Sequence, residues 1–221
     1  MDGDALVLKN DQLSPILERL AQVFPKLSRI ASYANGYNIT ARSDAELEDL
    51  YAHKLSLIYI GLESGNPEIL NRCKKRSSVE EMIEAVNRAA RAGIKSSVIV
   101  LLGLGGRKYS KEHVRDTITA LNRMQPRYLS FLSLMLIPGT PLYEEAQKNT
   151  FKELTADELL REARDIIQDL ELKKTIFRSN HASNYLALEG RFPQDKERLL
   201  DALEAALSGE AGLRPEFLRG L

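Results

Sequence analysis

The sequence predicts an α/β fold in which parallel strands are covered by helices, followed by a helical C-terminal extension. Strand-like and helix-like segments alternate through the first two thirds of the chain, the signature of repeated βαβ units. The strand candidates are near-continuous apolar runs, such as "LSLIYIGL" and "KSSVIVLLGL". Such runs suit a parallel sheet buried on both faces or closed into a barrel. After Tyr143 the alternation stops and amphipathic helical segments take over. The expected organisation is therefore a partial barrel over residues 1–145 and a helical extension over residues 146–221 packed on it.

Ser14-Pro15 ahead of Ile16, Leu17, Leu20, Val23 and Phe24 predicts a first helix, with serine as N-cap and proline at the first position. "LSRIASYA" predicts a strand closed by Asn35-Gly36. Ser43 with Glu46, Ser78 with Glu81, and Thr155 with Glu158 have capping-box spacing and predict three helix starts. Gly93 suits the exit of the second of these helices. "SKEHVRDTITALNRM" predicts a further helix, and "RYLSFLSLMLI" a strand stopped by Pro138-Gly139. "TIFRSNHASNYLALEGRF" reads as irregular, and Asp195 to Ser208 as a last helix.

Composition narrows the function classes. Lys plus Arg equals Asp plus Glu at 31 each, which argues against a nucleic-acid partner, since such proteins usually carry a basic excess. Cys73 is the one cysteine, so no intrachain disulfide forms and a reducing, cytoplasmic setting is expected. No signal peptide is visible, and no apolar run reaches the ~20 residues of a membrane span, so no membrane partner is expected. His53, His113 and His181 are scattered without zinc-like spacing and read as surface or packing residues.

Ligands of such folds bind beyond the C-terminal ends of the strands. The strand candidates lead into Asp2-Gly3-Asp4, Asn35-Gly36, Glu63-Ser64-Gly65, Gly103-Leu104-Gly105-Gly106 and Pro138-Gly139-Thr140. Every turn holds glycine, which lets backbone approach a ligand closely, and carboxylates or amides there accept from an amine or from ribose hydroxyls. Taken singly, Glu63 reads equally as a cap for the next segment. "GLGG" reads as a weak phosphate site, because it lacks the Lys-Ser/Thr of a P-loop. "SNHASNY" reads as a hydrogen-bonded loop cap or as part of a substrate pocket.

Taken together and in this order, "DGDAL", "ANG", "GLESGNPEILNRCKKRSSVEEMIEAVNRAARAGIKSSVIVLLGLGG" and "IPGTPLY" resemble the radical S-adenosylmethionine (radical SAM) enzymes, over roughly Asp2 to Tyr143. The resemblance implies an incomplete TIM-like (β/α)6 barrel holding SAM and a [4Fe–4S] cluster. The cluster is bound by three cysteines spaced C-x3-C-x2-C and by the amino and carboxylate groups of SAM. Its electron splits SAM to a 5′-deoxyadenosyl radical that takes hydrogen from substrate. By resemblance Asp2, Gly3 and Asp4 stand where a Gly-Gly-Glu motif meets the SAM amino group. Asn35 is the polar residue after the next strand. Glu63, followed by Ser64, lies near the ribose, and Lys75 faces the SAM carboxylate, with Arg76 as its neighbour. Gly103 belongs to the glycine motif of the fifth family strand, and "LMLIPG" matches the sixth.

The cysteine motif is absent, and Cys73 lies in the wrong segment to replace it. The expectation is a C-terminal piece of a longer radical SAM enzyme, inactive by itself, with no cluster and no metal ligands of its own. An exposed sheet edge would favour dimerisation. Two other readings stand beside it: a phosphate-ester-binding (β/α) barrel enzyme working through "GLGG", and a non-catalytic module that binds another protein through its C-terminal helices.

Overall fold

The computed structural model describes residues 3–220 of the chain; Asp2 lies outside them. A short 3-10 helix (Ala5–Val7) leads into α1 (Asn10–Val23), β1 (Ile30–Tyr33), α2 (Gly36–Thr40) and α3 (Asp44–Ala52). Then come β2 (Leu55–Glu63), α4 (Pro67–Arg72), α5 (Val79–Arg91), β3 (Lys95–Leu102), α6 (Gly106–Met124) and β4 (Tyr128–Ser133). The chain continues through α7 (Pro141–Gln147), α8 (Ala156–Asp169), β5 (Ile176–Ser179), β6 (Leu188–Arg191) and α9 (Lys196–Leu207).

The strands form one sheet in chain order, β1-β2-β3-β4-β5-β6. The first five run parallel, and β6 returns antiparallel to β5. An isolated parallel bridge joins Asp4 to Tyr33 at the end of β1. Alternate strand residues, among them Ile58, Ile60, Leu62, Val98, Val100, Leu129, Phe131 and Phe177, are buried in one core with Leu47, Met82, Val86, Leu160 and Ile167 of the helices. Phe131 and Phe177 meet edge to face at 4.9 Å between ring centroids. The other face is only partly covered, which fits the incomplete-barrel expectation rather than a sheet with two covered faces. Tyr59, Ile99, Leu101, Tyr128 and Ser130 are half-buried there, and Arg178 is exposed. The fold is thus an open arc of a (β/α) barrel, with the helices outside and the concave face only partly covered among the described residues.

All three capping boxes start their helices as the spacing predicts, at Ser43/Glu46, Ser78/Glu81 and Thr155/Glu158. Gly93 takes φ +86° after α5. Helix α1 begins four residues before Ser14: Lys9 stands at the N-cap position without a side-chain cap bond, Pro15 lies inside the helix, and the Ser14 hydroxyl instead donates to Asp49 at 2.7 Å. A proline this early removes only one interior hydrogen bond, so the preceding turn still forms. Helix α6 likewise starts at Gly106, ahead of the predicted Ser110. The segment read as irregular contains β5 and β6. The part of the chain after residue 146 therefore supplies strands to the common sheet as well as the helices α8 and α9.

"SNHASNY" is a hydrogen-bonded cap with Ser179, Ser183 and Asn184 buried. Ser183 Oγ accepts from the Ser133 amide at 3.2 Å, and Asn184 bonds Ser133 Oγ at 2.9 Å and the Phe131 carbonyl at 2.8 Å. Arg214 fastens this loop by donating to the carbonyls of His181, Ala182 and Asn184. Among the described residues no helix is long and apolar enough to cross a membrane.

Candidate functional site

The stretch Gly61-Leu62-Glu63-Ser64-Gly65 ends β2, and each residue has a different task. Leu62 is fully buried. Glu63 takes φ +61°, rare for a residue with a side chain, and the Ser64 amide donates back to the Leu62 carbonyl at 2.7 Å. The result is a tight three-residue turn centred on Glu63, and the β2–β3 register slips between Gly61 and Glu63. Sparsely populated backbone of this kind persists where surrounding structure over-determines it, typically at functional sites. The turn aims the Glu63 carboxylate back over Gly61. A Cβ at Gly61 would lie 2.1 Å from Glu63 Oε1 and 3.1 Å from Lys75 Nζ, so only glycine leaves this cradle open.

Lys75 Nζ donates to Glu63 Oε1 at 3.3 Å, with the two side chains about a quarter exposed. The second carboxylate oxygen has no hydrogen bond among the described residues. Asn35 follows β1 one strand away, and its exposed side chain makes no cap bond to α2. Arg76 lies over the Tyr37 ring at 4.1 Å, and the Tyr37 amide donates to Ser77 Oγ at 2.9 Å. These contacts dock the Lys75–Ser77 loop beside the start of α2. The structure thus gathers Asn35, Glu63 and Lys75 on the rim at the C-terminal ends of β1 and β2.

The remaining predicted residues divide. Asp4 reaches the same rim, but its carboxylate is heavily used: it accepts from the Leu6 amide, the Asn35 amide and Asn38 Nδ2, each at 2.8 Å. Its work is to tie the entering segment to the β1–α2 turn. Arg42 supports that tie, donating to the Leu6, Leu8 and Asn38 carbonyls from a buried position. Gly3 is exposed, with nothing within 4 Å of a Cβ built on it, and Asp2 lies outside the described residues. Ser64 points inward: it is wholly buried, and its hydroxyl meets His113 Nδ1 at 2.8 Å and the Asn66 amide at 3.0 Å. Gly103 also turns inward, its amide donating to Glu162 at 2.6 Å beneath α8. Ser64 and Gly103 therefore do not join the rim set. Nor does Glu63 cap the next helix; Asn66 caps α4 by accepting from the Ile69 amide.

Sequence reasoning missed the group behind the rim. His113 of α6 lies between Ser64 and Glu162 of α8, with Nε2 3.7 Å from the Glu162 carboxylate and no other partner. Ser110 of α6 also donates to Glu162. Burial pushes the Glu162 carboxyl up to about 7 and the His113 imidazole down to about 4. One signal was readable. Position 162 falls three after Leu159 and four before Ile166, on the buried stripe of α8.

The start of α6 gives no support to a phosphate site at "GLGG". The Gly106 amide is taken by the Gly103 carbonyl at 2.9 Å and the Arg107 amide by the Lys152 carbonyl at 2.9 Å. A Cβ at Gly106 would lie 2.7 Å from the Phe151 ring, so this glycine serves packing.

A parallel arc whose strand ends present an amide, a carboxylate over a glycine and a lysine defines a barrel class that holds polar small molecules at its rim. The chain belongs to the Radical SAM superfamily, whose model matches residues 3–121. It is 27% identical over 120 residues to a tRNA uridine(34) acetyltransferase of Methanocaldococcus infernus, covering 53% of this chain and 22% of that protein. Solved structures share the fold. One is the Elp3 of that archaeon with an N-terminal deletion, with TM-score 0.56, 18% identity, and coverage of 84% of this chain and 43% of that one. Another is the coproporphyrinogen III oxidase HemN of Escherichia coli, with TM-score 0.57, 18% identity, and coverage of 76% and 37%. The chain thus spans about a fifth of the curated relative and under half of these two structures.

The superfamily implies SAM and a [4Fe–4S] cluster, and the two fit this chain differently. The Glu63–Lys75 cradle offers an acceptor for a diol or ammonium and a cation for a carboxylate, which fits SAM. The cluster does not fit: Cys73, exposed at the end of α4, is the one thiol, and among the described residues no three His, Cys, Asp or Glu side chains gather as metal ligands.

Proposed function

We propose that the rim of Asn35, Glu63 and Lys75 binds SAM, and that this chain by itself binds it without cleaving it, being the SAM-contacting part of a radical SAM enzyme. SAM supplies in this superfamily the 5′-deoxyadenosyl group that becomes the hydrogen-abstracting radical. The residues here hold and orient it. Glu63 would accept from the ribose hydroxyls, Lys75 would turn its remaining N–H donors to the methionyl carboxylate, and Asn35 would take a polar edge beside them. Asp4 acts one step back, holding Asn35 in place through its amide. The observation that carries this reading is the strained Glu63 turn folded over Gly61 with Lys75 against it.

The test is thermal unfolding of the chain with SAM and, separately, S-adenosylhomocysteine. A ligand at 100 times its Kd adds about 2.7 kcal/mol of stability. For a domain of this size that is a rise in Tm of roughly 5–10 °C. Glu63→Ala and Lys75→Met are each expected to weaken SAM roughly tenfold or more, the worth of a charge-assisted hydrogen bond. Absence of any shift at millimolar SAM, or an undiminished shift in both variants, overturns the assignment.

A further inference from the structure

The open face of the sheet carries polar groups that the rim does not use. The ladders place Tyr33 opposite Tyr59, Tyr59 opposite Ser97, and Ser97 opposite Tyr128, one row across four strands. The Tyr33 and Tyr59 rings lie 5.4 Å apart. The next row toward the rim pairs Gly61 with Ile99 and Ile99 with Ser130. Arg178 continues it, one residue beyond the Leu129–Phe177 pair. A cavity of about 320 Å³ opens on the Tyr59–Ser97–Tyr128 row and toward the N-terminal ends of the strands, and its lining includes Arg29, Leu57, Tyr59, Ser97, Tyr128, Ser130 and Arg178.

The charge of this cavity is one-sided. It holds two arginines and no carboxylate. Neither guanidinium has an acidic partner or a side-chain hydrogen bond among the described residues. The hydroxyls of Tyr59, Ser97, Tyr128 and Ser130 likewise have no protein partner there. A guanidinium presents a fixed fork of donors that matches a carboxylate or phosphate, and aromatic rings beside it suit a flat body.

We propose that this face binds a small organic anion, a flat body carrying a carboxylate or phosphate, with Arg178 and Arg29 on the anionic group and Tyr59 and Tyr128 beside the body. The site sits deep on the concave face: Tyr59 stands four residues before Glu63 on β2, about 13 Å below the rim, and Tyr128 and Ile176 are the first residues of β4 and β5. This goes beyond the SAM reading, and the site shares no residue with the rim. Two guanidiniums and no carboxylate in the lining call for an anionic occupant.

The experiment titrates the chain with benzoate and with phenyl phosphate, following amide chemical shifts, in the presence and absence of SAM. Saturable shifts on β2–β5 are expected for at least one probe, and the stronger of the two tells carboxylate from phosphate. Arg178 is exposed, so Arg178→Met keeps the fold, and it is expected to weaken the probe tenfold or more while leaving the SAM response unchanged. Arg178→Lys, which keeps charge and loses the fork, falls between. Overturning results are no binding of either probe, shifts that map elsewhere, equal affinity in wild type and Arg178→Met, or a sedimenting dimer that shields Arg178. Probe binding without any SAM response would sink the rim reading and leave the anion site standing. A SAM response without probe binding does the reverse.

Discussion

Gly65→Ala is expected to destabilise the chain by about 3 kcal/mol or more, lowering Tm by roughly 6–12 °C. A Cβ at this position would lie 2.2 Å from the Asp116 carbonyl oxygen, 2.3 Å from its carbon and 2.5 Å from the Thr117 nitrogen. All three are backbone atoms in the middle of α6, so no side chain can swing aside. The turn and the helix must separate instead. That breaks the buried bond from the Gly65 amide to Thr117 Oγ1 at 2.9 Å and the neighbouring bond from Asn66 to Asp116 at 2.6 Å. Gly212→Ala is the control: nothing lies within 4 Å of its Cβ, and a change within about 0.5 kcal/mol is expected. Urea unfolding of the two variants checks the contrast, and a Gly65→Ala protein within about 1 kcal/mol of wild type contradicts it. The two glycines flanking Glu63 thus have separate causes: Gly61 leaves space for a carboxylate, and Gly65 lets a helix backbone touch the turn.

This division was only half legible in the sequence. The parallel α/β class, the β2 and β3 strands and three capping boxes rest on signals within a few residues, and the structure reproduces them. Glu63 and Lys75, which the resemblance picks out twelve residues apart, do meet. What failed to show depends on distant partners. Helix α4 has only six residues, and β5 and β6 have four each, too short for a period to declare itself. Ser64 looked like a rim residue because it follows Glu63, yet its partner His113 lies 49 positions away. Gly103 looked like a ligand glycine, yet Glu162, 59 positions on, takes its amide. Helices α6 and α8 decide which turn residues face outward, and local pattern carries no trace of that choice.

Glu162 also sets the second large effect. Glu162→Leu leaves the Gly103 amide and the Ser110 hydroxyl without their acceptor inside the protein. Unsatisfied buried donors cost about 1–3 kcal/mol each, so a loss of about 3 kcal/mol or more is expected. Glu162→Gln keeps an acceptor for Gly103 and isolates the charge. The folded carboxyl titrates near 7 against an ordinary 4.5 because burial disfavours its ionised form. Its contribution to stability is therefore complete below pH 4.5 and is lost as pH rises through 7, on the order of 3 kcal/mol in all. Buried His113 acts oppositely: held neutral down to about pH 4 against an ordinary 6.5, it contributes in full above 6.5 and loses that contribution as pH falls toward 4. Between pH 4.5 and 6.5 the two slopes offset. Removing the carboxyl exposes the histidine's slope, so the stability of Glu162→Gln relative to wild type should climb as pH rises from 4.5 to 7. Urea midpoints at pH 4.5, 5.5, 6.5 and 7.5 measure that difference, and a variant that tracks wild type in parallel across the range would show that burial does not hold Glu162 protonated behind the rim.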